Sequence, residues 1–294
     1  MRAIDPQITL TTSRQLYKYI YQAILPTLQN AKECQAITQR ILAYTFQCDQ
    51  VAIVLDKPLQ LTPASRENLT TIIQRIHQDE PIQYILGQAP FMGRDFYVTP
   101  AVLIPRPETE ELVTGILQEN SSPGLSVLEI GTGSGCIAIT LKKAWPISQI
   151  DALEISQKAL DLAAVNARYW EATINWLQGD LFQDSLPNKQ WELIVSNPPY
   201  VRLSERKHIH QRVLAYEPSQ ALFVPDNQPL VFYERIIKLA TNHLKPYGKI
   251  YLEINEAFGP NIAHLLDLAG FENIQVRQDL SGKDRWVSAI LSCS

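Results

Sequence analysis

The stretch Val127-Leu128-Glu129-Ile130-Gly131-Thr132-Gly133-Ser134-Gly135 decides how this chain of 294 residues is read. An apolar strand runs straight into a loop with glycine at every second position, and a helix begins near Cys136. Glycine lets the backbone take positive φ and lets a ligand lie against it. The start of the following helix offers unpaired N–H groups to a carboxylate or phosphate. Outward from this loop, apolar strand candidates fall at 126–130, 150–154, 174–177, 193–196, 249–254, 274–276 and 286–291. Helical stretches separate most of them, for instance 157–169 and 230–244. The alternation predicts an α/β fold, a mostly parallel seven-stranded sheet with helices on both faces.

Upstream the texture changes. No glycine occurs before Gly87, and all twelve lie from there onward. Ser13 is placed to cap a helix carrying Leu16, Tyr17, Ile20 and Ile24. Asn30 is placed to cap another, with Cys34, Ile37, Ile41 and Leu42 at helical spacing. Thr62 followed by Pro63 opens a third, through Ile72, Ile73 and Ile76. Residues 1–86 therefore read as a small helical bundle. Between 81 and 107 stand Pro81, Pro90, Pro100, Pro105 and Pro107, which argue against regular helix and interior strand. Phe91, Phe96, Tyr97, Val98 and Ile104 make the same stretch too apolar for a free linker. Residues 87–109 are expected to be a Pro-rich linker with a short hairpin, packed between the bundle and a second domain at 110–294.

Hydrophobic residues at 46% and charged residues at 19% exclude a disordered chain. The net charge of −4 lacks the basic excess that a long nucleic-acid footprint requires, so no direct nucleic-acid partner is expected. Cys34, Cys48, Cys136 and Cys293 show neither CxxC spacing nor a neighbouring histidine. They read as reduced thiols, with no metal site. The first twenty residues include Asp5 and Pro6 and no apolar core of a signal peptide. The longest apolar runs, such as 51–55, are far too short to span a membrane. The expectation is a cytoplasmic monomer.

Four motifs carry chemistry. In the glycine loop, the position where a dinucleotide fingerprint places its third glycine holds Cys136. That disfavours a nicotinamide or flavin cofactor, and GxGxG after an acid suits S-adenosylmethionine better. Glu154 ends the next apolar strand, 23 residues past Gly131. An acid there reaches the ribose hydroxyls of a nucleoside in a doubly wound sheet. Gly179-Asp180-Leu181-Phe182 follows the third strand; Asp180 is placed to accept an adenine amino group and Leu181 to pack on the ring. The most specific motif is Asn197-Pro198-Pro199-Tyr200, directly after the fourth strand. Two successive prolines give a stiff turn with carbonyl acceptors and no N–H. Asn197 adds a side-chain acceptor and Tyr200 a flat face, a set that fits a planar group bearing NH₂. Strands one and four are neighbours at the switch point of the usual order, which would put this turn beside the glycine loop. His208 and His210 lack a third ligand and read as exposed loop residues.

These residues resemble the protein-glutamine methyltransferase family that modifies peptide chain release factors. The resemblance covers nearly the whole chain. It runs from Glu80-Pro81-Ile82-Gln83-Tyr84-Ile85-Leu86-Gly87 to Pro105-Arg106-Pro107-Glu108-Thr109-Glu110, the second stretch separating release-factor enzymes from ribosomal-protein ones. Asp279-Leu280-Ser281-Gly282-Lys283-Asp284-Arg285 matches near the end. The resemblance implies a Rossmann-like class I methyltransferase domain using S-adenosylmethionine and yielding S-adenosylhomocysteine. Gly131, Thr132, Gly133, Ser134, Gly135, Glu154, Asp180 and Leu181 would bind that cofactor, with Asn197 nearby. Asn197, Pro198, Pro199 and Tyr200 would bind the glutamine, with Asn197, Pro198 and Tyr200 serving catalysis. Residues 1–86 would recognise class I release factors, a role in translation termination. Three positions depart from the pattern: Leu181, often aromatic; the stretch 222–230, usually a glycine-rich turn; and Asn255 with Phe258, where Gly and Gln are common. Two other readings fit part of the sequence. An adenine-N6 methyltransferase acting on DNA or RNA would use the same Asn-Pro-Pro-Tyr turn on a flipped base, and a non-catalytic adaptor would only bind release factor.

Overall fold

The structure is a computed structural model that describes residues 11–120, 124–183 and 186–292. Cys293 and the first ten residues lie outside the described residues. The chain divides into two compact units, Met1–Gly87 and Gln88–Ser294.

The first unit is helical: α1 (Ser13–Leu28), α2 (Ala31–Phe46), α3 (Gln50–Val54), α4 (Pro63–His77) and α5 (Ile82–Leu86). Its core is the predicted apolar stripes, with Leu16, Ile20, Ile24, Ile41, Leu42 and Leu69 wholly buried. Asn30 caps α2 through the N–H groups of Lys32 and Glu33, and Thr62 caps α4 with Pro63 in the first turn. The cap of α1 is Thr12 rather than Ser13. Ser13 is buried and its hydroxyl donates to the Ala52 carbonyl at 2.8 Å, so it ties α1 to α3 instead. The prolines also behave differently from the sequence expectation. Pro81 precedes α5, and Pro107 opens α6 (Pro107–Glu119), because a first-turn proline sacrifices no helix hydrogen bond.

The second unit begins with an antiparallel hairpin, β1 (Gln88–Phe91) and β2 (Arg94–Tyr97), followed by α6. Then come β3 (Ser126–Ile130), α7 (Cys136–Ala144), β4 (Gln149–Glu154), α8 (Gln157–Tyr169), β5 (Asn175–Gln178) and β6 (Trp191–Ser196). The chain continues through β7 (Val201–Arg202), α9 (Gln211–Tyr216), β8 (Phe223–Val224), α10 (Val231–His243), β9 (Leu244–Glu253), α11 (Gly259–Leu268), β10 (Phe271–Gln278) and β11 (Asp284–Leu291). Seven strands form one sheet in the order β10-β11-β9-β6-β3-β4-β5. The five from β5 to β9 are parallel, whereas β11 runs antiparallel between β9 and β10.

Alternate strand residues feed two cores, as the two-residue side-chain period of a strand requires. Val127, Leu193, Val195 and Tyr251 join α6 and α7 on one face, through Leu112, Ile116, Ile137 and Leu141. Leu128, Ile194, Ile250 and Leu252 join α10 and α11 on the other, through Ile236, Ile237, Ile262 and Leu266. Both faces are covered, so the central strands are continuous apolar runs. No helix among the described residues is long and apolar enough to cross a membrane.

Candidate active site

The strand order reverses at β3, whose parallel neighbours are β4 on one side and β6 on the other. In open α/β sheets the crevice beyond such a switch point is where ligands bind. Ser196, at the end of β6, donates its hydroxyl to the Ile130 carbonyl at 2.8 Å and pins the two strand ends together. The glycine loop leaves β3 there. Gly131 has φ +76° and Gly133 +55°, and a Cβ added at either would meet nothing within 4 Å, so the space over the loop is open. Gly135 serves packing instead. It caps α7 at φ +80°, and a Cβ there would stand 3.0 Å from Ile139, 3.2 Å from Ala163 and 3.3 Å from Trp176.

Two acids hold this loop. Glu129 is buried, and its Oε2 accepts from Thr132 Oγ1 at 2.6 Å and from the Ala138 N–H at 3.0 Å. Burial pushes its carboxyl up to about 8 against the pull of those hydrogen bonds. Burial, with Glu129 nearby, pushes the Cys136 thiol up to about 12, so it stays protonated and unreactive at neutral pH. Glu154 bridges two turns. Its Oε2 accepts from the Gly133 N–H at 3.0 Å and its Oε1 from the Ser156 N–H at 2.9 Å. From α8, the buried Asn166 donates to the Ser134 carbonyl at 2.9 Å and to the Tyr97 carbonyl at 3.0 Å, coupling the loop to the hairpin. Asp180 shapes its own turn, with Oδ1 accepting from the Phe182 N–H and Oδ2 from Gln183. Phe182 and Phe232 meet edge to face at 5.2 Å beside Leu181, so aromatic surface stands next to the position that lacks it.

The Asn-Pro-Pro-Tyr turn is held by partners remote in sequence. Asn197 Nδ2 donates to Thr109 Oγ1 at 3.1 Å, and Thr109 donates to Glu253 Oε2 at 2.6 Å. The Tyr200 hydroxyl donates to Glu253 Oε1 at 3.0 Å. Burial raises the Glu253 carboxyl to about 7, opposed by these two donors and by Arg285. Two of the atypical stretches are wired into the same region. Asn255 Nδ2 donates to the Tyr200 carbonyl at 3.2 Å, and Phe223 and Val224 form β8, which pairs with β7 just after Tyr200.

One cleft of about 370 Å³ gathers most of the predicted residues: Gly131, Thr132, Gly133, Ser134, Glu154, Asp180, Leu181, Asn197, Pro198 and Pro199 line it. Gly135 and Tyr200 are not among its lining residues; one sits under α7 and the other is turned onto Glu253. The remaining walls include residues 101–103 with Pro105 and Arg106, and Pro218 with Gln220 and Ala221. The ion pair Arg106–Glu217, at 2.6 Å, clasps these two segments. His208 and His210 are exposed, and no group of three potential metal ligands occurs among the described residues.

A mostly parallel seven-stranded sheet with one antiparallel strand inserted near its edge, and a glycine loop with a strand-end acid at the switch point, define a Rossmann-like methyltransferase. Residues 109–222 match the Methyltransferase small domain, and residues 22–87 match the PrmC N-terminal domain. A methyltransferase from Pyrococcus furiosus shares the fold at a TM-score of 0.53 and 18% identity, over 75% of this chain and 98% of that one. The release factor glutamine methyltransferase of Flavobacterium psychrophilum is 41% identical over 275 residues, 92% of this chain and 96% of that protein. That of Bacteroides thetaiotaomicron is 41% identical over 272 residues, 92% of this chain and 97% of its own. The chain belongs to the release factor glutamine methyltransferase family.

Proposed function

We propose that this protein transfers a methyl group from S-adenosylmethionine to the side-chain amide nitrogen of the glutamine in the Gly-Gly-Gln motif of class I peptide chain release factors. S-adenosylhomocysteine is the second product. The observation that carries the reading is the convergence of Asn197, Pro198 and Pro199 with the glycine loop in one cleft. The family relationship supports the substrate.

The residues fit the methyl donor. The cleft has the size of a small-molecule pocket, and the open space above Gly131 and Gly133 admits a ligand against bare backbone. We assign the loop 131–134 and Glu154 to the amino-acid and ribose portions, and Asp180 with Leu181 to adenine. When bound, S-adenosylmethionine supplies an electrophilic methyl group. An amide nitrogen is a poor nucleophile because its lone pair is delocalised, so positive charge must build on it during transfer. Asn197 Oδ1 and the Pro198 carbonyl accept its two protons and stabilise that charge. The same two contacts aim the nitrogen, while Pro199 stiffens the turn and Tyr200 flanks it. The methylated amide is strongly acidic and gives up its proton without a dedicated base.

The helical unit is assigned to recognition of the release factor, and the substrate places the reaction in the cytoplasm. The test is methyl transfer from labelled S-adenosylmethionine to purified release factor, intact or with the Gly-Gly-Gln glutamine replaced by alanine. Label on the intact protein alone is the expected result. Label on DNA or RNA would overturn the substrate assignment, and binding without transfer would leave an adaptor.

A further inference from the structure

Asn197 accepts a proton from the substrate only if its own amide is turned the right way. The two ends of a primary amide have nearly the same shape but opposite hydrogen-bonding character. The orientation is dictated at the wall of the cleft, which Thr109 itself lines, and by Glu253 beneath it. Thr109 has a single hydroxyl proton, and that proton goes to Glu253 Oε2 at 2.6 Å. Toward Asn197, Thr109 is left as an acceptor, and it takes Asn197 Nδ2 at 3.1 Å. An amide turned by a half rotation would set two acceptor oxygens against each other. Thr109 is 3% exposed and Glu253 1%, so water does not compete for these contacts. Asn197 Oδ1 makes no hydrogen bond among the described residues, which leaves it to the cleft.

Resting on the function proposed above, we propose that Thr109 and Glu253 are positioning residues that lock the Asn197 amide with its oxygen toward the substrate, and that the lock requires Glu253 to be ionised. A protonated Glu253 is itself a donor. Where Thr109 accepts that proton, its own hydrogen turns toward Asn197 and favours the flipped amide, whose NH₂ then faces the NH₂ of the glutamine.

The groups facing Glu253 set how easily this happens. Tyr200 donates to Oε1, and Tyr233, on α10, donates to the Glu253 carbonyl at 3.2 Å. Arg285, on β11 and paired with Asp279 at 2.9 Å, favours the carboxylate, whereas Glu108 and burial oppose it. The balance holds the carboxyl at about 7, so the lock is made above that pH and loosens below it.

The experiment is single-turnover methyl transfer to intact release factor by the wild type, Thr109→Val and Thr109→Ser, with cofactor binding measured in parallel. Thr109→Val removes both hydrogen bonds at nearly constant shape and is expected to lower the rate about 10- to 100-fold with little change in cofactor affinity. Thr109→Ser keeps the hydroxyl and is expected to recover most of the rate. The wild-type rate should fall below about pH 7, and Thr109→Val should lack that limb. Should Thr109→Val fail to fold, the wild-type profile decides, and a rate flat from about pH 5 to 9 overturns the lock. Glutamine methylation by the wild type, with Thr109→Val equally fast and showing the same acid limb, would overturn the lock and leave the proposed function standing. A wild type that methylates no glutamine would take both down.

Discussion

Removing the Glu154 carboxylate should weaken cofactor binding by an amount the structure allows to be worked out. Its two oxygens are each used once inside the protein, by the Gly133 and Ser156 N–H groups at 3.0 and 2.9 Å. An ionised carboxylate oxygen accepts two donors, so one site remains on each for the neighbouring hydroxyls of a ribose. Hydrogen bonds to a charged acceptor are worth about 1.5–3 kcal/mol net of water, and the two ribose bonds lost in Glu154→Ala share a single carboxylate charge, so they do not add in full. A loss of roughly 1.5–3 kcal/mol follows, or about 10- to 150-fold in Kd. Glu154→Gln should fall between, because its NH₂ must oppose one of the two backbone N–H donors. The assay is calorimetric titration with S-adenosylmethionine, with a thermal midpoint for each variant to register loosening of the loop. If Glu154→Ala binds as tightly as wild type while its midpoint drops, the carboxylate serves only the loop and the ribose assignment is wrong.

Asn197→Ala removes one preorganised acceptor and should slow single-turnover transfer roughly 10²–10³-fold with a smaller change in cofactor affinity; an undiminished rate would show the turn to be a rigid scaffold and nothing more. Gly135→Ala forces a side chain into φ +80° and against Ile139 and Ala163. It should cost roughly 2–4 kcal/mol in denaturant unfolding, and a neutral result would mean α7 shifts freely. Glu129→Gln tests the buried acid beneath the loop. The folded-state value of about 8 lies above the ordinary 4.5, so the stability from burying the neutral acid is full below 4.5 and is lost as pH rises through about 8. The thermal midpoint of Glu129→Gln relative to wild type should therefore climb between about pH 5 and 9, and a constant difference would show that Glu129 is already ionised in the fold.

The parallel part of the sheet is legible in the sequence because β3, β4 and β6 are covered on both faces and read as apolar runs. The far edge is less so. In β10 most side chains are exposed or half-exposed, so only 274–276 reads as strand, although pairing extends across Phe271–Gln278. The insertion of β11 between β9 and β10 leaves no mark in its residues, since a strand's direction depends on the path of the chain. At the site, the glycine loop, Glu154 and Asn197-Pro198-Pro199 announce themselves because each is a local pattern tied to a strand end. Thr109 and Glu253 do not. Thr109 lies 88 positions from Asn197 and 144 from Glu253, and a threonine in a helix's first turn looks like capping chemistry until the fold brings it under the asparagine. Glu129 gives a partial signal as the acid before the glycines, yet only its burial shows it to be a brace for the loop.

The contrast between the two halves of the cleft follows from where their supports come from. On the half proposed for the cofactor, the two acids act at short range, Glu129 on Thr132 and Ala138 and Glu154 on Gly133 and Ser156, with longer ties from Asn166 and Ser196. The half proposed for the glutamine is assembled from α6, the turn after β6, the end of β9 and β11, and its hydrogen bonds span 53 to 144 positions. Short-range loops close at small entropic cost, whereas the long-range set exists only once the sheet is complete. A mixed sheet suits that division. The parallel strands present their carboxyl ends to the cleft, and the antiparallel β11 returns Arg285 beside Glu253, where a parallel strand in its place would enter from the opposite end. The inserted strand thus sets a cation near Glu253, where it joins the Thr109 and Tyr200 hydroxyls in opposing the burial of that carboxylate.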